Sequence, residues 1–171
     1  ARLEKGLLAA LVIPAQVAML PLFLELKAFG LVDTYAGVLV PSLAGIFSIF
    51  LVRQAALGIP GELLDAARID GASEWTLYRR VALPLMRPML VTLGVFAFLG
   101  SWNDFLWPLI AVSTSAKYTV TVGIANFQGT NGTEYALIMA GAAIASIPQV
   151  LMFLLFRKNI VQGISMTGIK G

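Results

Sequence analysis

A chain of 171 residues that is 58% hydrophobic and only 12% charged, with a mean hydropathy of +0.86, falls well short of the roughly 25% charged residues of a soluble domain and belongs to the membrane class. It contains no cysteine and no histidine, which excludes disulfides, thiol chemistry, Cys/His metal sites and imidazole acid–base catalysis. The formal charge of +3 comes from residues beside apolar runs, so membrane orientation accounts for it and no nucleic-acid partner is expected.

The chain opens at Ala1 with Arg2 and Lys5, then runs apolar from Gly6 to Leu24. This predicts a first transmembrane span at about 6–26 rather than a signal peptide, because the run outlasts a usual h-region and more spans follow. The absence of a start methionine points to a fragment or processed product. Glu25 and Lys27 mark the outer end of the first span, and Thr34 to Val52 predicts the second. Charge then returns between Arg53 and Pro88, where five arginines (Arg53, Arg68, Arg79, Arg80, Arg87) would each cost about 2.5–3.5 kcal/mol at a bilayer centre. That segment must lie outside the lipid. It reads as two short helices, Glu62 to Asp70, entered at Pro60 and stopped by Gly71, then one capped by Ser73 with Glu74 and Trp75 in its first turn.

Pro88 to about Ile110 predicts a third span, containing Asp104, the only carboxylate well inside an apolar run. An external loop, 111–134, follows; its Tyr118 to Thr133 stretch is uncharged but polar, with a short helix near Val120 to Phe127. Tyr135 to Phe156 predicts the fourth span, where Ala140, Gly141, Ala142, Ala143 and Ala145 permit close helix contact. Prolines 14, 21, 41, 108 and 148 lie within or near spans, where neighbouring helices or a cavity must satisfy the carbonyls they free. The fold expected is an all-α polytopic membrane helix bundle of four transmembrane helices in one domain. With the amino end cytoplasmic, ten of the twelve lysines and arginines fall on the cytoplasmic side, leaving Lys27 and Lys117 outside. The central hairpin and the carboxyl tail therefore face the cytoplasm.

On the helix beginning at Glu62, Leu63, Ala66, Ala67 and Asp70 share one side, and the alanines allow a partner's backbone to come close. Asp65-Ala66-Ala67-x-x-Asp70-Gly71-Ala72, followed by Leu83-Pro84-Leu85 and Pro88, resembles the EAA signature of the integral-membrane permeases of binding-protein-dependent ABC importers. The resemblance covers essentially the whole chain and is closest to the carbohydrate-type branch, which includes the smaller permease subunit of maltose importers. Supporting matches are Ile13-Pro14, Pro21, Ser101 to Phe105, Trp107-Pro108-Leu109 and the ending Gly168 to Gly171. Asp65 departs from the signature, standing where glutamate is usual, which keeps the charge on a shorter side chain.

The resemblance implies a type I ABC importer permease fold of six helices, of which this chain is the carboxyl-terminal part with a cytoplasmic coupling helix. It implies a bacterial cytoplasmic (inner) membrane location. It also implies docking of Asp65, Ala66, Ala67, Asp70, Gly71 and Ala72 on an ATPase subunit dimer, a second similar permease subunit, an extracytoplasmic solute-binding protein, and a sugar or polyol substrate. ATP and Mg belong to the ATPase: the nearest P-loop match here, Gly163 to Lys170, places Ile169 between glycine and lysine and lacks the following hydroxyl. No cofactor and no enzymatic activity are expected of this chain.

Trp102, Asn103, Asp104 and Phe105 combine polar groups with aromatic faces and are candidates for the translocation pathway, with interface anchoring or helix packing as the alternative. The external loop from Lys117 to Glu134 is either a contact for the solute-binding protein or a solvated connector. An ion-coupled secondary transporter is the competing function, though no internal repeat is apparent and only Asp104 offers an intramembrane carrier. A membrane enzyme lacks a persuasive acid–base pair or metal cluster.

Overall fold

Helices dominate the computed structural model, which describes residues 14–43, 45–129 and 132–168. In chain order they are α1 (Met19–Ala28), α2 (Tyr35–Leu39), α3 (Ile46–Leu57), α4 (Gly61–Ile69), α5 (Glu74–Leu77), α6 (Leu83–Trp102), α7 (Leu106–Ala111), α8 (Val120–Ala125) and α9 (Tyr135–Gly168). A two-residue antiparallel hairpin, β1 (Gln128–Gly129) with β2 (Gly132–Thr133), leads into α9. Among the described residues, three helical stretches are long and apolar enough to cross a membrane: Tyr35–Leu57, Glu74–Trp102 and Tyr135–Asn159. Residues 6–13 of the expected first span, Ile13 of the Ile13-Pro14 match, and residues 169–171 of the tail lie outside the described residues.

Packing separates the chain into two units. One comprises the described residues up to Ile46 together with Phe98–Met152, and its core is Leu26, Trp107, Ala111 and Val112, with Leu22, Phe23, Leu31, Val32 and Val38 against it. Helix α1 ends in a Schellman motif: Gly30 adopts φ +68°, its N–H reaches the Lys27 carbonyl at 3.1 Å, and the Leu31 N–H reaches that of Leu26 at 2.8 Å. Leu31 and Leu26 thereby enter the same core. Thr34 caps α2, accepting from the Gly37 N–H at 3.0 Å. A Cβ at Gly37 would stand 2.2 Å from the Leu31 carbonyl oxygen, so this buried position has room for glycine only.

The same unit is tied together at Asp33. Its carboxylate accepts from the Ser113 N–H at 3.0 Å, the Thr114 N–H at 2.9 Å, the Thr114 hydroxyl at 2.6 Å and Lys117 Nζ at 2.9 Å. These bonds, led by the two from Thr114, hold the Asp33 carboxyl well below the usual carboxylate range. Asp33 itself adopts φ 58°, a conformation that aspartate tolerates better than most residues. Gly141 on α9 faces Ile124 on α8, with space so restricted that a Cβ there would lie 2.9 Å from Ile124 Cγ1.

The third expected span, 88–110, is interrupted. Helix α6 stops at Trp102, residues 103–105 are non-helical, and α7 restarts at Leu106. The physical cause is local. Asn103 donates both its backbone N–H, at 3.1 Å, and its side-chain amide, at 2.8 Å, to the Leu99 carbonyl, closing off the last turn of α6. Pro108 has no N–H to offer the Asp104 carbonyl, which instead accepts from the Thr121 hydroxyl at 2.7 Å. Asp104 therefore sits in a helix break, not inside a continuous span. The short helix of the external loop ends at Ala125, before the expected Phe127, because the hairpin begins at Gln128.

The second unit comprises Phe47–Ala97 and the described residues from Phe153. Leu77, Met86, Met89, Thr92 and Val95 are buried, and their spacing of mostly three residues lines them along one side of the helix. The Thr92 hydroxyl lies 3.0 Å from the Pro88 carbonyl and 2.9 Å from that of Asn159. Between α5 and α6, Tyr78–Ala82 is π-helical, with the Leu83 N–H donating to the Tyr78 carbonyl immediately ahead of Pro84, which has no amide hydrogen to continue the ordinary ladder.

Candidate functional site

Helices α4 and α5 form a hairpin whose turn is built by backbone bonding. Gly71 adopts φ +82°; its N–H reaches the Arg68 carbonyl at 3.0 Å, and the Ala72 N–H reaches that of Ala67 at 3.0 Å. This is the Schellman closure seen at Gly30, and it requires a residue that accepts the left-handed region. Ser73 then caps α5, accepting from the Thr76 N–H at 3.3 Å. Helix α4 runs from Gly61 to Ile69, with Pro60 as N-cap and Asp70 as C-cap, one residue earlier than the Glu62–Asp70 expected from sequence.

Arg68 locks this turn from the side. Its Nε donates to Glu74 Oε1 at 3.2 Å and its Nη1 to Asp65 Oδ1 at 3.0 Å, so one guanidinium joins the two helices. Its bonds to Glu74 and then Asp65 raise the guanidinium's already high pKa. Asp65, Ala66, Asp70 and Gly71 are exposed, while Ala67 and Ala72 are half-buried beneath the turn. Leu63, Ile69 and Trp75 are exposed too, Ile69 at 87%. A charged, small-residue surface with an apolar fringe thus projects from the second unit. Sequence reasoning passed over Arg68, although the i, i+3 spacing from Asp65 is a readable signal; its bond to Glu74 crosses the turn and has no such signal.

The second candidate group lies where α6 ends. Trp102 Nε1 donates to the Ala145 carbonyl on α9 at 3.0 Å. Asn103 and Gln149 exchange amide hydrogen bonds, Nε2 of Gln149 to Oδ1 of Asn103 at 3.1 Å and Nδ2 of Asn103 to Oε1 of Gln149 at 3.4 Å. Phe98 stacks on Trp102 with centroids 5.6 Å apart. Asp104 is half-buried and Phe105 is 39% exposed at the start of α7. Trp102 and Asn103 are thus drawn to α9, while Asp104 meets α8 through its backbone. Gln149 was not anticipated, since its partner is 46 residues away.

The model of the family described as binding-protein-dependent transport system inner membrane component matches residues 7–166. The chain belongs to this family. It is 38% identical over 164 residues to the arabinooligosaccharides transport system permease protein AraQ of Halalkalibacterium halodurans, covering 96% of this chain and 59% of the relative. It is 34% identical to the lactose transport system permease protein LacG of Rhizobium radiobacter, covering 95% and 59% respectively. The sn-glycerol-3-phosphate transport system permease protein UgpE of Agrobacterium fabrum is 35% identical, with 90% and 55% covered. The chain therefore spans somewhat over half the length of these relatives.

For this inner membrane component, a solved structure confirms the fold. The crystal structure of a bacterial ABC transporter involved in the import of the acidic polysaccharide alginate superposes with a TM-score of 0.74 at 22% identity, covering 91% of this chain and 60% of that one. The family assignment makes the protein a multi-pass inner-membrane transport component, consistent with the three spanning helices among its described residues.

Proposed function

We propose that this chain is part of the transmembrane permease subunit of an ATP-driven importer for a sugar or related polyol, coupled to a separate ATPase through the α4–α5 hairpin. The observation that carries this reading is the exposed surface of Asp65, Ala66 and Asp70 on a helix ended by Gly71 and braced by Arg68. Its alanines leave room for a groove on the partner, and its backbone is held by the Gly71 and Ala72 turn bonds and by the Arg68 pairs. The ATPase dimer binds ATP and Mg. Closure of that dimer moves the hairpin, and the spanning helices rock between inward- and outward-open states. Family membership and relatives that carry oligosaccharide and glycerol phosphate names support this substrate class.

A second similar permease completes the pathway, and an extracytoplasmic binding protein delivers substrate to it. Trp102, Asn103, Asp104 and Phe105 line that pathway, offering amide and carboxylate groups beside aromatic faces. These 171 residues contain no cysteine, so Ala66→Cys introduces the single thiol among them. In the assembled transporter it should cross-link to the ATPase and react with impermeant thiol reagents only from the cytoplasmic side. Labelling from outside, or no cross-link across the nucleotide cycle, would sink the proposal.

A further inference from the structure

The π-helical turn creates a basic site that shares Trp75 with the apolar fringe of the hairpin surface. Trp75, Thr76, Arg79 and Arg80 line an open cleft of about 330 Å³. Arg68 is engaged by Asp65 and Glu74, but among the described residues no carboxylate lies within ion-pair distance of Arg79 or Arg80. Both arginines are exposed, and the indole of Trp75 beside them is 67% exposed and lies 5.5 Å from the Tyr78 ring, centroid to centroid.

Depth in the membrane identifies the occupant. The helix Glu74–Trp102 has 29 residues, about 43 Å at 1.5 Å per residue, against a hydrocarbon core of about 30 Å and a bilayer of about 40–45 Å with its headgroups. The surplus belongs to the charged end, where Glu74, Arg79, Arg80 and Arg87 precede the apolar stretch that begins at Pro88. This charged end then lies at the inner headgroup layer, where tryptophan and tyrosine rings anchor helices and inner-leaflet basic pockets receive anionic headgroups. We propose that the cleft of Trp75, Thr76, Arg79 and Arg80 binds the phosphate of an anionic phospholipid of the inner leaflet. The guanidinium groups engage the phosphate oxygens, and the Trp75 ring rests at the glycerol level.

The test is native mass spectrometry of the intact transporter in detergent, titrated with phosphatidylglycerol, phosphatidylcholine or inorganic phosphate. Phosphatidylglycerol should be retained about tenfold over phosphatidylcholine, and R79Q/R80Q should abolish that preference. Arg157→Gln/Lys158→Gln should leave it intact. R79K/R80K, which keeps charge but loses the planar fork, should retain part of it and serves if the glutamine variant does not fold. Equal retention of the two lipids, or an unchanged preference in R79Q/R80Q, overturns the proposal. So does binding of inorganic phosphate without lipid preference, or loss of the ATPase subunit in R79Q/R80Q while lipid preference persists.

Discussion

The indole of Trp107 donates to the carbonyl of Gly37 at 3.1 Å, and the amide four residues beyond Gly37 belongs to Pro41, which has no hydrogen to give. The same substitution of donor recurs where Thr121 serves the Asp104 carbonyl that Pro108 leaves open. In lipid an unanswered carbonyl is costly, so these side chains are what allows proline at those positions. Trp107→Phe should keep most of the packing yet lower stability by about 1–3 kcal/mol, because a buried acceptor loses its donor. Pro41→Ala restores an amide hydrogen to the ladder. The double variant should therefore be more stable than Trp107→Phe alone, a non-additivity readable in thermal unfolding of the detergent-solubilised protein. Simple addition of the two effects would refute the account.

Gly71 tests the hairpin. Its φ of +82° favours glycine, tolerates asparagine, and opposes valine, whose branched Cβ makes the left-handed region a severe outlier. Substrate-stimulated transport in proteoliposomes should fall in the order Gly, Asn, Ala, Val. Gly71→Val should leave ATP hydrolysis running with transport reduced at least about tenfold, the cost of about 1.4 kcal/mol in coupling. Arg68→Gln removes two solvent-exposed ion pairs, which water and salt screen, so its effect on unfolding should be small.

How far the sequence could be read depended on the range of the interactions involved. Apolar runs announced the long helical stretches Tyr35–Leu57 and Tyr135–Asn159, and glycine after a periodic helix with serine two residues on announced the Gly71 turn, because these are local effects of solvation and backbone geometry. The break at residues 103–105 was obscured by the surrounding hydrophobicity, although Asn103 and Pro108 both signal it. Asp33 carries no local signal of its role. Its partners are 80 and more positions away, and nothing in its neighbourhood of sequence specifies them.

The Asp33 junction carries a pH signature. Its carboxyl is depressed in the folded state, so its stabilisation is present above the unfolded value of about 3.9 and lost only as pH falls through the lower folded value. Asp33→Asn removes the charge while tolerating the same backbone conformation. The difference in melting temperature between wild type and Asp33→Asn should be constant from pH 8 to pH 5, narrowing below about pH 4. A gap that closed near neutrality would assign the effect to another group.

The reciprocal amides of Asn103 and Gln149 distinguish packing from passage. If the pair only joins two helices, an interhelical hydrogen bond in a membrane is worth about 0.6 kcal/mol, and transport should follow stability. If the pair also faces the pathway, Gln149→Leu should reduce transport far beyond that small loss. The Asn103→Leu/Gln149→Leu variant makes the decision, since two apolar side chains can pack without leaving an amide unanswered. It should regain the melting temperature of the wild type in detergent while transport stays depressed at least about tenfold, with ATPase binding unchanged. Recovery of both stability and transport would assign these amides to helix packing and remove them from the pathway.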